Sequence, residues 1–220
     1  MRLDVYLVEN GYFGSRGRAK DAILRGTVKV DGVISKKPSK NIRKNIDVQV
    51  EQGYDLPRGY FKLKNIQEAT EIISFGDQVL DLGSSAGGFL MLASEIAGSV
   101  KGVEYSKDFR YELEKLAKER SNIAVVFGDV FHMPLNEMSD EQVDVILSDM
   151  TLEPMDALIA LERILPLLRE NGKLLLVIKT NDTTVREPVI ENLMSMGLTI
   201  LEVIESKKKE TYITARKQIF

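Results

Sequence analysis

The chain contains no cysteine and only one histidine among its 220 residues. The lack of cysteine excludes a disulfide, a thiolate metal site and a thiol nucleophile. A single histidine, His132, cannot form a histidine cluster around a metal ion and argues against a histidine-based catalytic triad. We therefore expect no metal site, and we interpret His132 as a structural residue.

Long apolar runs are also absent. None approaches the roughly 20 residues that a membrane-spanning helix needs. The first residues, MRLDVYL, are interrupted by Arg2 and Asp4, which argues against a signal peptide. Hydrophobic residues make up 44% of the chain and charged residues 29%, a balance typical of soluble proteins. We expect a cytoplasmic protein without a membrane partner.

Positive charge is in deficit overall, with a net charge of −3, but it is concentrated at the start of the chain. Residues 1–52 hold 11 Lys and Arg against 6 Asp and Glu, whereas the remainder holds 19 against 27. A basic unit followed by an acidic one predicts that the two units have different functions and that the basic unit binds a polyanion. A chance clustering of charge on a solvated face is the alternative.

The basic unit, residues 1–50, has the pattern of two short helices. RLDVYLVENG has apolar residues at helical spacing and ends in a glycine. SRGRAKDAILRG begins with Ser15 as a helix N-cap and ends at Gly26 as a C-terminal cap. Its apolar positions, Ala19, Ile23 and Leu24, are expected to face the core.

A small sheet is predicted to follow these helices. TVKVDGVIS is an alternating strand pair around Asp31-Gly32, which is typical of a type I′ hairpin. KKPSKNIRKNIDVQVE supplies a basic loop and a last strand. Two helices packed on a hairpin would present the basic residues on one cationic surface.

The segments SR-x-x-AK, G-x-V-x-V-D-G and KPS together resemble the RNA-binding domain named after ribosomal protein S4. This resemblance implies a small α+β domain that binds structured RNA through its phosphates and carries out no chemistry of its own. The basic residues that we expect to contact RNA are Arg2, Arg16, Arg18, Lys20, Arg25, Lys29 and Lys37.

After a linker over residues 51–59, residues 60–220 alternate between strand and helix patterns. The predicted strands are 78–81, 100–104, 124–127, 143–148, 173–179, 199–204 and 212–215. The predicted helices are 89–97, 107–120, 154–169 and 185–196. This alternation predicts an α/β fold with a parallel, doubly wound sheet.

Only ESKKKET separates the last two strands, which is too short for a crossover helix, so we expect an antiparallel pair. A mostly parallel sheet with a reversed last strand resembles the methyltransferase variant of the Rossmann fold.

The segment VLDLGSSAGGF, residues 79–89, predicts a ligand site because a strand ends at a glycine turn and leads directly into a helix. Twenty-one residues beyond Gly83, a second strand ends in Glu104, at the distance typical of a ribose-binding carboxylate. The glycines follow G-x-x-x-G-G, which resembles the first motif of S-adenosylmethionine-dependent methyltransferases; a turn without a ligand is the alternative. The resemblance implies cofactor contacts from Asp81, Gly83, Ser84, Ser85, Gly87, Gly88, Phe89, Glu104 and Asp129.

Four charged residues specify the type of methyltransferase. Lys62 lies in FKL on a predicted helix, Asp149 lies in LSDM at the end of a strand, Lys179 ends the apolar strand LLLVIK, and Glu210 begins the last strand. Strand ends of this kind face the ligand crevice of a doubly wound sheet. A Lys-Asp-Lys-Glu set in this order resembles the catalytic tetrad of the FtsJ family of RNA 2′-O-ribose methyltransferases. With an RNA-binding domain in front, the layout is similar to the TlyA-type rRNA methyltransferases.

Each of these residues also has an ordinary interpretation. Lys62 fits a surface lysine on a helix, Asp149 a loop cap and Asp129 a turn residue. Glu210 follows three lysines and fits a solvated charge. TLEPMDA after Asp149 also departs from the A-P-N of the FtsJ family. The tetrad is favoured because all four assignments fall in the expected order around one motif.

Three methylation chemistries differ in the residues that they require. Pyrimidine C5 transfer normally needs a cysteine, and exocyclic amine transfer commonly uses an [ND]-P-P-[FYW] loop where this chain has SDMT. A ribose hydroxyl needs only a group that takes its proton or holds the oxyanion, and we assign Lys179 to that task. The sequence therefore predicts an S-adenosylmethionine-dependent 2′-O-ribose methyltransferase acting on structured RNA, specifically ribosomal RNA. The alternative is a non-catalytic RNA-binding or ribosome-assembly factor that retains the fold.

Overall fold

The computed structural model describes residues 1–43, 46–51, 56–206 and 209–219. The chain divides into two compact units, Met1–Arg58 and Gly59–Phe220. Residues 52–55 of the predicted linker lie outside the described residues.

The first unit contains two helices and a three-stranded antiparallel sheet. These elements are α1 (Leu3–Glu9), α2 (Arg16–Arg25), β1 (Val28–Val30), β2 (Val33–Ile34) and β3 (Val48–Val50), with sheet order β2-β1-β3. The predicted hairpin is confirmed, because β1 pairs antiparallel with β2 and both Asp31 and Gly32 have positive φ, as a type I′ turn requires. Small strands of this kind need a covering layer, which the two helices provide.

The caps of α2 are also as predicted. The Ser15 side chain accepts a hydrogen bond from the Arg18 backbone N–H, and Gly26 ends the helix in the left-handed conformation. The expectation that Leu24 faces the core is wrong, since it is 56% exposed. Ala19 and Ile23 form the buried stripe, and the next residue along a helix is rotated about 100° away from it.

The second unit has the alternating order of a doubly wound fold. Its elements are α3 (Arg58–Thr70), β4 (Gln78–Leu82), α4 (Gly88–Ile96), β5 (Ser99–Glu104), α5 (Arg110–Glu119), β6 (Ile123–Phe127), α6 (Leu135–Met138), β7 (Val143–Ser148), α7 (Pro154–Ile164), β8 (Leu168–Ile178), α8 (Thr183–Ser195), β9 (Leu198–Glu205) and β10 (Thr211–Lys217).

These strands form one seven-stranded sheet in the order β6-β5-β4-β7-β8-β10-β9. All pairs from β6 to β8 are parallel, whereas β10 runs antiparallel to both β8 and β9. The predicted Rossmann-like sheet with a reversed last strand is thus confirmed. Because Thr211 pairs with Ile178, the start of β10 lies beside the carboxyl end of β8.

A hydrophobic cluster covers each face of the sheet. Side chains alternate along β4, so that Val79 packs with α3, α4 and α5, whereas Leu80 packs with α7 and α8. Burial on both faces explains why the central strands are continuous apolar runs. No helix within the described ranges is long and apolar enough to cross a membrane.

Two predicted helix boundaries are wrong. The predicted helix 154–169 ends at Ile164, followed by a 3₁₀ turn over Leu165–Leu167, and β8 begins at Leu168, earlier than expected. Pro166 explains the difference, because proline cannot donate the backbone hydrogen bond that a helix interior needs. The predicted helix 107–120 likewise opens with a 3₁₀ turn, Lys107–Phe109, before α5.

Candidate active site

The fold brings the four predicted catalytic residues to one edge of the sheet. Asp149 follows β7, Lys179 follows β8, and Glu210 precedes the reversed strand β10. Since β10 runs backwards beside β8, its start meets the carboxyl ends of the parallel strands. Lys62 reaches the same place from α3.

Their charged groups alternate in a closed ring. Lys62 Nζ lies 2.8 Å from Asp149 Oδ2 and 3.1 Å from Glu210 Oε2. Lys179 Nζ contacts Asp149 Oδ1 and lies 3.4 Å from Glu210 Oε1. Each ammonium group therefore touches both carboxylates. The ordinary interpretations of Lys62 and Glu210 as solvated surface charges are wrong, because their side chains are 17% and 16% exposed.

Burial and neighbouring charges have opposite effects on the pKa values of Lys62 and Glu210 in this ring. Burial lowers the pKa of Lys62, but the carboxylates of Asp149 and Glu210 outweigh burial and raise it above its ordinary value. Burial raises the pKa of Glu210, but Lys62 and Lys179 outweigh burial and lower it. Lys62 and Glu210 are thus held in their charged forms. The Lys179 side chain, at 32% exposed, is the most accessible of the four to a substrate.

Glu210 is held by residues to which the sequence analysis assigned no role. Its backbone N–H donates to Ser206 Oγ at 3.2 Å, and the Tyr212 hydroxyl donates to Glu210 Oε2 at 3.3 Å. Thr211 Oγ1 donates to the Thr180 carbonyl at 2.7 Å, which ties the start of β10 to the end of β8. The E-x-Y pattern contained a signal for Tyr212, since alternate residues of a strand point to the same side.

The glycine-rich loop between β4 and α4 has an unusual backbone. Gly83, Ser85 and Gly87 all have positive φ, between 48° and 81°. A side chain at Gly83 would also lie 3.2 Å from the Cα of Met150, so this position favours glycine for space as well as conformation.

Glu104 joins this loop to the next one. Its Oε2 accepts the Ser85 N–H and its Oε1 accepts the Ser106 N–H, both at 2.6 Å. The residue is only 6% exposed. Each oxygen has a second lone pair, so these bonds leave acceptor capacity for a ligand.

Gly88 and Phe89 contribute to the packing of α4. A Cβ at Gly88 would lie 2.5 Å from the Tyr60 backbone N and 2.8 Å from Gly59 Cα, so the starts of α3 and α4 meet backbone to backbone. The Phe89 side chain is 4% exposed and packs in the core. The sequence motif thus mixes loop residues with residues that dock the helix carrying Lys62.

Asp81 and Ser84 are both buried beneath the loop. Asp81 is 1% exposed, and neither carboxylate oxygen has a hydrogen-bond partner among the described residues. Burial raises the pKa of Asp81 to about 7; the nearby Ser84 hydroxyl acts to lower it, and the charges of Asp149 and Glu104 act to raise it further. Ser84 Oγ donates to the backbone oxygen of Asp81 at 3.4 Å. An unpaired buried carboxylate is costly unless a cation meets it.

Asp129 organises the loop after β6. Its Oδ1 accepts the Phe131 N–H at 2.9 Å, and its Oδ2 lies 2.8 Å from His132 Nδ1. The Phe131 hydrogen bond first, and the His132 contact next, lower the pKa of Asp129. The His132 side chain is 84% exposed, so its contribution to structure is this loop contact and not core packing.

All seven predicted RNA-contacting residues of the first unit are exposed or half-buried. Ion pairs within the described part of this unit include Arg2, Arg16 and Arg25. Arg25 pairs with Asp21 at 2.8 Å, while Arg2 and Arg16 both pair with Asp4.

The reversed last strand, the glycine loop after the first parallel strand and the charged strand ends define a Rossmann-like methyltransferase fold. Residues 56–217 match the model of the FtsJ-like methyltransferase family, and residues 1–47 match the S4 domain. The chain belongs to the FtsJ-like methyltransferase family.

Known proteins agree with this fold. The chain is 35% identical over 110 residues to ribosomal RNA large subunit methyltransferase E of Psychrobacter sp. strain PRwf-1, a match that covers 48% of this chain and 49% of that protein. The chain thus spans about half the length of that relative. A Streptococcus thermophilus structure described as a hemolysin superposes with a TM-score of 0.62 at 18% identity, covering 99% of this chain and 88% of the other. Aeropyrum pernix fibrillarin, solved with natively bound S-adenosyl-L-methionine, has a TM-score of 0.64 at 20% identity and covers 86% and 94%.

Proposed function

We propose that the protein is an S-adenosylmethionine-dependent methyltransferase that modifies a ribose 2′-hydroxyl of ribosomal RNA. The observation that carries this proposal is the ring of Lys62, Asp149, Lys179 and Glu210, in which two ammonium groups and two carboxylates alternate. A ribose hydroxyl is a weak acid, so its methylation requires a group that manages its proton and developing charge. The ring supplies such groups without a cysteine nucleophile.

The residues of the glycine loop fit S-adenosylmethionine. The unpartnered Asp81 carboxylate suits the ligand's ammonium group, and the remaining acceptor capacity of Glu104 suits its ribose hydroxyls. The glycines at positions 83 and 87 leave the loop backbone open to the ligand's methionine end. We assign Asp129 to a contact with the adenine amino group of the cofactor. When bound, the cofactor supplies an activated methyl group.

In the proposed mechanism, Lys179 is the group that acts on the ribose. It is the most exposed member of the ring; in its neutral amine form it accepts the hydroxyl proton, or as an ammonium group it holds the oxyanion as charge develops. Asp149 orients Lys179 through a direct contact between their charged groups. Lys62 and Glu210 fix the positions of this pair, because each contacts a member of opposite charge.

The first unit supplies RNA affinity in this proposal. Its basic side chains recognise phosphates of structured RNA, which is the sequence-independent part of RNA binding. The S4 match over residues 1–47 and the accessibility of the seven basic residues, six exposed and Arg18 half-buried, support these separate roles of the two units. The relative from Psychrobacter, named for large-subunit ribosomal RNA, supports ribosomal RNA as the substrate class.

The test is to incubate the protein with labelled cofactor and ribosomal RNA and to locate the label. A methyl group on the 2′ oxygen protects the adjacent phosphodiester from alkali, so the expected product is alkali-resistant at the labelled nucleotide. Label at an alkali-sensitive nucleotide would identify a base as the target and contradict the mechanism. RNA and cofactor binding without transfer would instead favour the non-catalytic assembly factor.

A further inference from the structure

A buried carboxylate in the first unit joins two arginines that are distant from the active-site ring in sequence. Asp4, in the first turn of α1, has a fully buried side chain. It accepts Arg2 Nε at 2.9 Å and Arg2 Nη2 at 3.2 Å, and it accepts Arg16 Nη2 at 3.2 Å. The two arginine side chains nevertheless remain 45% and 53% exposed. One carboxylate therefore holds two surface guanidinium groups side by side.

The charge count of this cluster favours a further anion. Two guanidinium groups and one carboxylate leave a net charge of +1, and the Arg2 hydrogen bond lowers the pKa of Asp4 so that the carboxylate is charged at neutral pH. A guanidinium group has five N–H donors in a planar fork, and Asp4 engages only three from the two groups together. Planar forks of this kind match the oxygens of a phosphate.

The backbone of the same segment anchors the basic loop. The Asp4 N–H donates to the Pro38 carbonyl at 3.1 Å, and the Leu3 N–H donates to the Lys40 carbonyl at 2.8 Å. The exposed residue Lys37 lies in this loop, next to Pro38. Asp4 is therefore the point at which the start of α1, the basic loop and both arginines are tied together.

We propose that Asp4 is a positioning residue for RNA binding, which holds Arg2 and Arg16 as one two-armed clamp for backbone phosphates beside the Lys37 loop. This inference rests on the proposed RNA-binding function and deepens it. The buried carboxylate does not touch RNA. It acts by restricting two long, flexible side chains to one geometry, so that less conformational freedom is lost when a phosphate binds.

The direction in which one substitution changes RNA affinity distinguishes a positioning role of Asp4 from a general effect of its negative charge. Removing a negative charge from a surface that binds a polyanion strengthens binding if only charge matters. Positioning predicts the opposite: Asp4→Asn in the full chain weakens binding to a folded ribosomal RNA fragment by about tenfold or more, as expected for loss of charge-assisted hydrogen bonds. The matched control is Glu9→Gln, which removes the same charge from an exposed position on the same helix and is expected not to weaken binding. Affinity of Asp4→Asn equal to or above wild type overturns the inference.

A mutant cycle distinguishes positioning from a general effect on folding. In a chain that already carries Arg2→Gln and Arg16→Gln, Asp4→Asn is expected to cost no further RNA affinity, because the groups on which it acts are gone. An equal loss in both backgrounds overturns the inference, because Asp4 then acts through the fold. Thermal unfolding of each variant accompanies the measurement.

If Asp4→Asn does not fold, the double variant Arg2→Lys/Arg16→Lys gives the same information with the carboxylate intact. It preserves the charge but not the planar fork, so we expect about tenfold weaker RNA binding with an unchanged salt dependence. Wild-type affinity in this variant overturns the clamp. Failure of the wild-type protein itself to bind the RNA fragment contradicts the proposed function instead, so the two failures are distinguishable.

Discussion

Both units of the molecule contain a carboxylate between two basic side chains, and the differences between the two clusters are informative. Asp4 lies between Arg2 and Arg16, and Asp149 lies between Lys62 and Lys179. In the second unit a further carboxylate closes the ring and makes it neutral, whereas the cluster of the first unit keeps an excess positive charge.

The type of cation differs as well. Arginine provides a rigid fork suited to phosphate, while lysine is a compact point charge that exchanges a proton more readily. A half-exposed arginine cluster with excess charge suits the binding of a polyanion. A more buried, neutral lysine ring suits chemistry on one hydroxyl, because charge that develops there meets little screening.

The largest decrease in methyl-transfer rate should come from removing a member of the neutral ring. We expect Lys179→Ala to reduce methyl transfer by about two to four orders of magnitude, the usual contribution of a positioned acid–base group. Cofactor and RNA affinities should change little, because the lysine acts chiefly in the transition state. The measurement is single-turnover transfer with labelled cofactor, and Lys64→Ala, an exposed lysine on α3, is the control.

The same assay tests whether the ring acts as a unit. Asp149→Ala should be nearly as damaging as Lys179→Ala, and the double variant should lose much less than the two losses combined. Fully additive losses would show that the two residues act separately and would contradict the proposed pairing.

A smaller effect is expected from the loop that lies beside the ring. Gly83→Ala should weaken cofactor binding by at least about tenfold, because the positive φ strains an alanine and its Cβ would press on Met150 at 3.0–3.2 Å. Gly76→Ala is a matched control, since Gly76 has a similar positive φ but an added Cβ would meet nothing within 4 Å. Calorimetry showing equal affinity losses in the two variants would attribute the effect to backbone strain alone.

Asp81→Asn should have opposite effects on cofactor affinity and on stability. We expect the variant to bind cofactor more weakly and to have a higher free energy of unfolding. The raised pKa of Asp81, about 7, means that the native state loses stability as the pH rises from near 3.8 through about 7. Without cofactor, the variant should therefore exceed wild type at pH 8 by about 1–3 kcal/mol in the free energy of unfolding. Cofactor affinity of wild type should rise through pH 7 as Asp81 ionises, and that of the variant should be weaker and flatter. A variant that binds cofactor as wild type does would remove Asp81 from the site.

The smallest change is expected from Tyr212→Phe, which removes the 3.3 Å hydrogen bond to Glu210 and the hydroxyl's hydrogen bond with Ser206. A loss of about 0.5–1.5 kcal/mol of transition-state stabilisation corresponds to a decrease in rate of roughly two- to tenfold. Cofactor affinity should not change. A decrease as large as that of Lys179→Ala would give the tyrosine a direct role in catalysis.

Local signals in the sequence predicted much of the fold. Ser15 and Gly26 mark the ends of α2 because their chemistry satisfies backbone groups at helix ends. The short connection before β10 predicted the reversed strand, because no crossover helix fits in it. The misplaced end of α7 also had a local cause, since Pro166 was present but was outweighed by the apolar pattern around it.

Other features depend on contacts between distant segments, which periodicity and spacing do not report. The motif that assigns Gly88 to the cofactor gives no sign that Gly59 and Tyr60 also require its missing side chain. Asp4 carried no recognisable signal, because its role appears only when Arg2 and Arg16 converge on it. Three of the four ring residues were predicted at strand ends, which meet at one edge of a doubly wound sheet, and the resemblance to the FtsJ tetrad added Lys62 from a helix. Their alternating contacts follow from the directions of individual side chains.

The contact between Gly88 and the start of α3 limits the relative movement of two helices in the second unit. Where side chains separate two helices, rotamer changes absorb small displacements, but a contact between bare backbones has no such slack. The start of α4 and the start of the helix that carries Lys62 are therefore packed with no side chain between them. We expect a ligand that displaces the start of α4 to displace the start of α3 as well, one helical turn before Lys62.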